Sequence, residues 1–150
     1  SGLVFPPRTG GFTRRMVYRY GGSEDATLVA YDHERADAPA TVEFFLVPRV
    51  RAGGERERLE ALAREELKSG ASGRRLYTAP VELAGKEGLK TVIERPMGFA
   101  GNRQRVTVVL YLVPFREFLF RVRVVYPVSV PPDVPSRARA LIEKVAASAG

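Results

Sequence analysis

Cysteine and tryptophan are absent from the 150 residues, and histidine occurs once, as His33. Without thiols the chain can form no disulfide, no thiolate nucleophile and no Cys-ligated zinc or iron–sulfur centre. Long apolar runs are also missing: none approaches the ~20 residues that a membrane-spanning helix requires. Lysine is scarce, with four residues (Lys68, Lys86, Lys90, Lys144) against twenty arginines.

What remains is 45% hydrophobic and 27% charged, the balance of a globular protein. A chain of this length buries roughly 70% of the surface its unfolded form exposes, so residues 1–150 are expected to form a single domain with its own core. The formal net charge of +7 invites a polyanion partner. An arginine-dominated excess beside abundant Ala, Gly, Val and Pro is, however, also what coding bias in a GC-rich genome writes, so charge alone argues for no nucleic acid. The start SGLVFPP lacks methionine. Residues 1 and 2 therefore read as a cleavage scar or a trimmed start, and the expected location is periplasmic or extracellular after loss of a leader, with the cytoplasm as the alternative.

Hydrophobic periodicity divides the chain. Residues 12–20 alternate imperfectly, with Phe12, Met16, Tyr18 and Tyr20 on one side and Thr13, Arg15, Val17 and Arg19 on the other. A turn at 21–25 leads to a strand at 26–33. Residues 41–49 follow as a strand apolar on both faces, which predicts a central position. After Gly53 and Gly54 the period changes to about 3.6: Leu59, Leu62, Ala63 and Leu67 form one stripe, Glu60 precedes Arg64 by four, and Gly70 ends the helix. Strands are then expected at 74–84, 89–96, 105–113 and 118–127, with turns at 85–88 and 98–102. The last segment is helical, with Val134, Ala138, Leu141, Ile142 and Val145 on one face and Asp133 or Ser136 as N-cap. The fold class is α+β, an antiparallel sheet of six to seven strands in the order β-β-β-α-β-β-β-β-α. Each helix must bury its stripe against the sheet, and central strands apolar on both sides place the helices on opposite faces as an α/β/α sandwich.

No catalytic set emerges. His33 lies between Asp32 and Glu34, but alternation sends the acids to one face and the imidazole to the other, so the cluster reads as a strand end and not as a metal site. Gly70-Ala71-Ser72-Gly73 lacks the spacing and following helix of a nucleophile elbow. Phosphate-cradling glycine motifs are absent. The loop Gly98-Phe99-Ala100-Gly101 is similar to the RNA-clamping loop of KH domains but joins strands where that one joins helices. Glu43, Glu82 and Glu94 show no spacing that predicts a catalytic pair. No cofactor and no metal are expected. The candidate binding surface is Arg15, Arg19, Arg121 and Arg123, with Tyr18, Tyr20, Tyr31 and Tyr111 in nearby strand positions; it suits a protein partner or an anionic membrane surface better than nucleic acid.

Two segments, VELAGKEGLKTVIER (81–95) and FRVRVVYPVSVPP (120–132) with the helix after it, resemble the PsbP-like superfamily, which groups a photosystem oxygen-evolving subunit with bacterial relatives and a nuclear-import factor that binds the Ran GTPase. With the strand–helix order they cover about half the chain. The resemblance implies an antiparallel sheet between helices and a non-enzymatic role in binding or assembly. No site motif of that family is present, so no functional residue carries over, and the arginine-rich surface departs from its pattern. The expectation is thus a non-catalytic binding or assembly domain that docks a protein or membrane-associated complex through a sheet edge or the arginine-bearing face. The alternative is a small apolar-ligand carrier or enzyme with a pocket between sheet and helix lined by Phe44, Tyr111 and Phe120.

Overall fold

A computed structural model describes residues 2–19, 27–48, 54–68 and 72–149. The expected turn at 21–25, Tyr20, Gly53 and the helix end at Gly70 lie outside the described residues. Eight strands make one antiparallel sheet: β1 (Arg8–Thr9), β2 (Phe12–Arg19), β3 (Thr27–His33), β4 (Thr41–Pro48), β5 (Arg74–Leu83), β6 (Lys86–Phe99), β7 (Asn102–Pro114) and β8 (Phe118–Pro127). The helices are α1 (Glu55–Lys68) and α2 (Asp133–Ala147). The expected count of six to seven strands is corrected by β1, whose two residues are too few to display alternation.

Strand order is β1-β2-β3-β4-β8-β7-β6-β5. Two meanders therefore meet where β4 pairs with β8, and α1 carries the chain from the middle of the sheet to its far edge. The apolar two-sidedness of residues 41–48 and 105–113 follows from this, because β4 and β7 lie inside the sheet: β7 has a helix over each face, and β4 is buried on its α2 side and half-buried on the other.

The two faces hold separate cores. On one, α2 presents Val134, Ala138, Leu141, Ile142 and Val145 to Val109, Tyr111 and Val113 of β7 and Phe120, Val122 and Val124 of β8. On the other, Leu59 and Ala63 of α1 pack on Val106, Val108, Leu110 and Leu112 of β7 and on Ile93, Leu119 and Val125. The helices thus split between the faces, as two-sided strands require. At the start of α2, Pro132 occupies the cap position without a side-chain cap bond, and Asp133 already belongs to the helix, where its carboxylate accepts from Arg137 at 3.3 Å.

Neither helix packs broadly over the β1–β4 half; α2 touches it through Lys144, whose Nζ donates to Thr9 Oγ1 of β1 at 3.1 Å. On the α2 side the N-terminal segment fills that gap: Phe5 packs edge-on against Phe44 at 5.4 Å, Tyr31 Oη donates to Pro6 O at 2.7 Å, and Arg14 Nη1 donates to Phe5 O at 2.7 Å. On the α1 side no helix among the described residues covers β2, β3 and the near part of β4.

Candidate functional site

Register assigns each side chain of that uncovered half to a face. Directly opposed residues share a face, so Tyr18, Leu28, Phe45, Arg121 and Leu112 form one row across β2, β3, β4, β8 and β7. The next row is Met16, Ala30, Glu43, Arg123 and Leu110. Each row begins at the open strand edge and ends beneath α1. Tyr18 is 53% exposed and Met16 37%, large values for apolar side chains in a sheet.

A bulge between Arg14 and Met16 corrects the expected parity of β2. Before it, Arg14 opposes Tyr31 on the α2 side; after it, Met16 opposes Ala30 on the α1 side. The extra residue shifts the alternation by one. Phe12 and Met16, expected on one side, therefore part company: Phe12 is fully buried on the α2 side, and Met16 faces outward on the other. Tyr18 and Arg15, expected to oppose each other, come together on the α1 side, where Arg15 Nε meets Asp32 Oδ2 at 2.8 Å.

The four candidate arginines accordingly do not form one surface. Arg19 opposes Thr27, which opposes Leu46 of the α2-side core, and so sits on the other face. Arg121 lies over the Phe45 ring, with its guanidinium carbon 4.5 Å from the centroid, and is half-buried. Arg123 is withdrawn from solvent into an ion-pair network. Its Nε donates to Glu66 Oε1 and its Nη1 to Glu43 Oε1 at 3.0 Å, while Arg95 Nη1 donates to Glu66 Oε2 at 2.8 Å. Burial pushes the Glu66 carboxyl up, but the hydrogen bonds from Arg123 and Arg95 outweigh it and hold the group below the usual carboxylate range. Burial also works against the charge of Arg123, and Glu66 and Glu43 overcome that and raise its pKa. Arg123 ties α1 to the sheet; Arg15 and Arg121 are what the open face offers.

Glu66 is the residue that sequence reading passes over. It lies seven after Leu59 and three after Ala63, on the inward stripe, and a carboxylate in that phase opposite two sheet arginines was the available signal.

Around His33 the acids disperse. Glu34 accepts from Arg8 and Thr13 at 2.8 and 2.9 Å, and the His33 ring has Nδ1 2.8 Å from Ala38 O and stacks obliquely on Phe12. Among the described residues no three His, Asp or Glu side chains are grouped to hold a metal ion.

The expected pocket lined by Phe44, Tyr111 and Phe120 is also corrected. Phe44 and Phe120 are fully buried in ring contact, with centroids 5.7 Å apart, and neither borders the cleft that Tyr111 lines. Tyr111 instead borders a cleft of about 390 Å³ between α2 and β5–β8. Its floor is Val92, Val109 and Val124, which oppose one another in a single row. Tyr111 and Lys90, directly paired, bound one side and Tyr126 the other; Tyr77 stands at the sheet edge with Lys90 Nζ 5.8 Å from its ring, and Arg139 of α2 lies 5.8 Å from the Tyr111 ring. Burial raises the pKa of both Tyr111 and Tyr126, so the two phenols keep their protons as hydrogen-bond donors.

No family model and no curated protein matches the chain. Among solved structures it is similar to one described as the crystal structure of LpqN, involved in cell envelope biogenesis of Mycobacterium tuberculosis, with a TM-score of 0.50 and 11% identity over 89% of this chain and 88% of that one. At that identity the likeness is one of fold: an antiparallel sheet with helices, in the α+β class.

Proposed function

We propose that this chain is a non-catalytic binding domain of the cell envelope that docks a protein partner through the uncovered α1-side half of its sheet and the adjoining edge of β2. The carrying observation is the row Tyr18–Leu28–Phe45–Arg121, which among the described residues runs without a helical roof to a strand edge that β1 accompanies only at Phe12 and Thr13. A strand whose outer backbone groups face water is a template for strand addition. The apolar row would receive alternate side chains of the added segment, and Arg15 and Arg121 favour one that carries carboxylates. The envelope setting draws on the fold shared with LpqN and is consistent with the PsbP-like resemblance, whose members bind and assemble.

The test is photo-crosslinking in the producing cells from a reactive residue at position 18, with position 77 on the opposite sheet edge as control. A discrete protein adduct from 18, absent from 77 and lost on Arg121→Glu, is the expected result. Identical adducts from both positions, or none, would refute the surface. Turnover of ester, phosphate or glycoside substrates that disappeared with Glu or His substitution would refute the non-catalytic reading itself.

A further inference from the structure

The cleft beneath α2 has no part in that docking surface; it opens on the other face and at the other end of the sheet. Its construction is amphipathic by design of register. Three valines from β6, β7 and β8 fall in one cross-strand row and make an apolar floor, and the flanking rows supply Tyr111 with Lys90 on one side and Tyr126 on the other. Tyr77 of β5 reaches the same cleft because a bulge between Arg75 and Tyr77 resets the parity of that strand. Half of the chain's six tyrosines therefore converge on one hollow, under a helix that contributes Ser136 and Arg139 at its rim.

A helix packed only for stability would close over such a floor with aliphatic side chains, as α2 does further along with Leu141 and Val145. Here it leaves a space within the size range of small-molecule sites. Two cations enter it. Arg139 is partly engaged, donating to Glu143 Oε1 at 3.1 Å and to Glu82 O at 3.3 Å, so the Glu143 charge offsets part of its own. Lys90 rests over the Tyr77 ring, an aromatic contact, and among the described residues no carboxylate pairs with its ammonium. An apolar floor, a rim of neutral hydroxyls and a net positive charge select one ligand chemistry.

We infer that this cleft binds a small organic anion, a carboxylate or phosphate monoester on a flat apolar body, with the body on Val92, Val109 and Val124 and the anionic group between Lys90 and Arg139.

Three probes of like size and different head group test it by calorimetry on the full chain: 2-naphthoate, 2-naphthyl phosphate and neutral 2-naphthalenemethanol. Both anions are expected to bind more tightly than the alcohol, and the ratio between them identifies the preferred head group. Lys90→Gln and Arg139→Gln should each weaken the anions about tenfold, the loss of one charge-assisted hydrogen bond, and leave the alcohol unchanged. Arg64→Gln, exposed on α1 across the sheet, should change none of them. Equal affinity for anions and alcohol, no binding of either anion at millimolar concentration, or anion binding unmoved by both cleft variants would each overturn the assignment. Thermal unfolding of the two variants separates lost binding from lost fold.

Discussion

At the scale of single residues the least expected feature is a carboxylate on the buried stripe of a helix. Glu66 shares its side of α1 with Leu59 and Ala63, and its side chain retains only 11% exposure. Desolvating a lone charge would cost several kcal/mol; two guanidiniums at hydrogen-bonding distance make the position tenable. Removing the carboxylate should then leave Arg123 and Arg95 without their shared acceptor. Glu66→Gln is expected to destabilise the fold by roughly 2–3 kcal/mol, below the full figure for breaking a buried ion pair because Arg123 keeps some water. Urea unfolding at pH 7 measures this. The sign with pH follows from the direction of the shift. A carboxyl whose folded-state pKa is depressed contributes stability that is present above its unfolded pKa, about 4.3, and disappears as pH falls through the lower folded value. The gap between wild type and Glu66→Gln should therefore narrow steadily as pH drops from about 5 to 3. A gap independent of pH would mean that the carboxylate's charge is not what holds α1.

At the scale of elements, what the sequence made legible was alternation wherever it ran uninterrupted. Residues 118–127 alternate, and the structure sorts Phe120, Val122 and Val124 from Leu119, Arg121 and Arg123 accordingly. In β2 one bulged residue was enough to reverse the faces of everything after Arg15, and a bulge leaves no mark in composition. The turns were legible as glycine clusters: the one expected at 98–102 contains the observed turn, and the one expected at 85–88 falls about two residues late. The β5–β6 hairpin turns on Ala84-Gly85 with φ of 50° and 77°, and β6–β7 on Ala100-Gly101 with φ of 51° and 84°. Two successive positive φ values are what a two-residue hairpin requires, and alanine is the residue that pays a steric penalty there. Ala84→Asn, which tolerates the left-handed region, should stabilise by about 0.5–1 kcal/mol and raise the unfolding temperature by a few degrees. Gly88 belongs to the strand instead. A Cβ on it would lie 2.5 Å from Leu112 O and 2.8 Å from Val113 Cα, both backbone atoms of the neighbouring strand. Gly88→Ala should accordingly destabilise by about 2 kcal/mol or more, since β6 and β7 cannot both keep their places; equilibrium unfolding of that variant beside Ala84→Asn is expected to give opposite signs four residues apart in one hairpin.

At the scale of the whole molecule the two meanders are unequally covered, and nothing local in the sequence announces it. That β4 pairs with β8 is a contact eighty residues apart for Glu43 and Arg123, and periodicity reports which face a residue occupies without reporting which strand lies beside it. Both helices serve the β5–β8 half. The β1–β4 half depends on the N-terminal segment for its α2 side, and the two chain ends meet where Val4 N donates to Ser148 Oγ at 2.8 Å. Tyr31 is the chief anchor of that strap: its hydroxyl donates to Pro6 O, its ring packs against Phe44, and burial, only partly offset by Arg14, pushes its pKa up to about 12. An acid whose folded pKa lies above its unfolded value stabilises the fold fully below the unfolded pKa, near 10, and ceases to do so as pH rises through the folded value. Wild-type stability should thus fall between about pH 10 and pH 12. Tyr31→Phe removes the hydroxyl and keeps the ring, so it should lose about 1 kcal/mol at neutral pH, the net worth of one hydrogen bond, and show a shallower alkaline decline. Hydrogen exchange in the same variant should quicken at β2 and β3 and leave β7 and β8 unchanged, because the strap covers one meander and the helices hold the other; acceleration spread evenly over all strands would mean that the sheet responds as one unit and that the strap has no local duty.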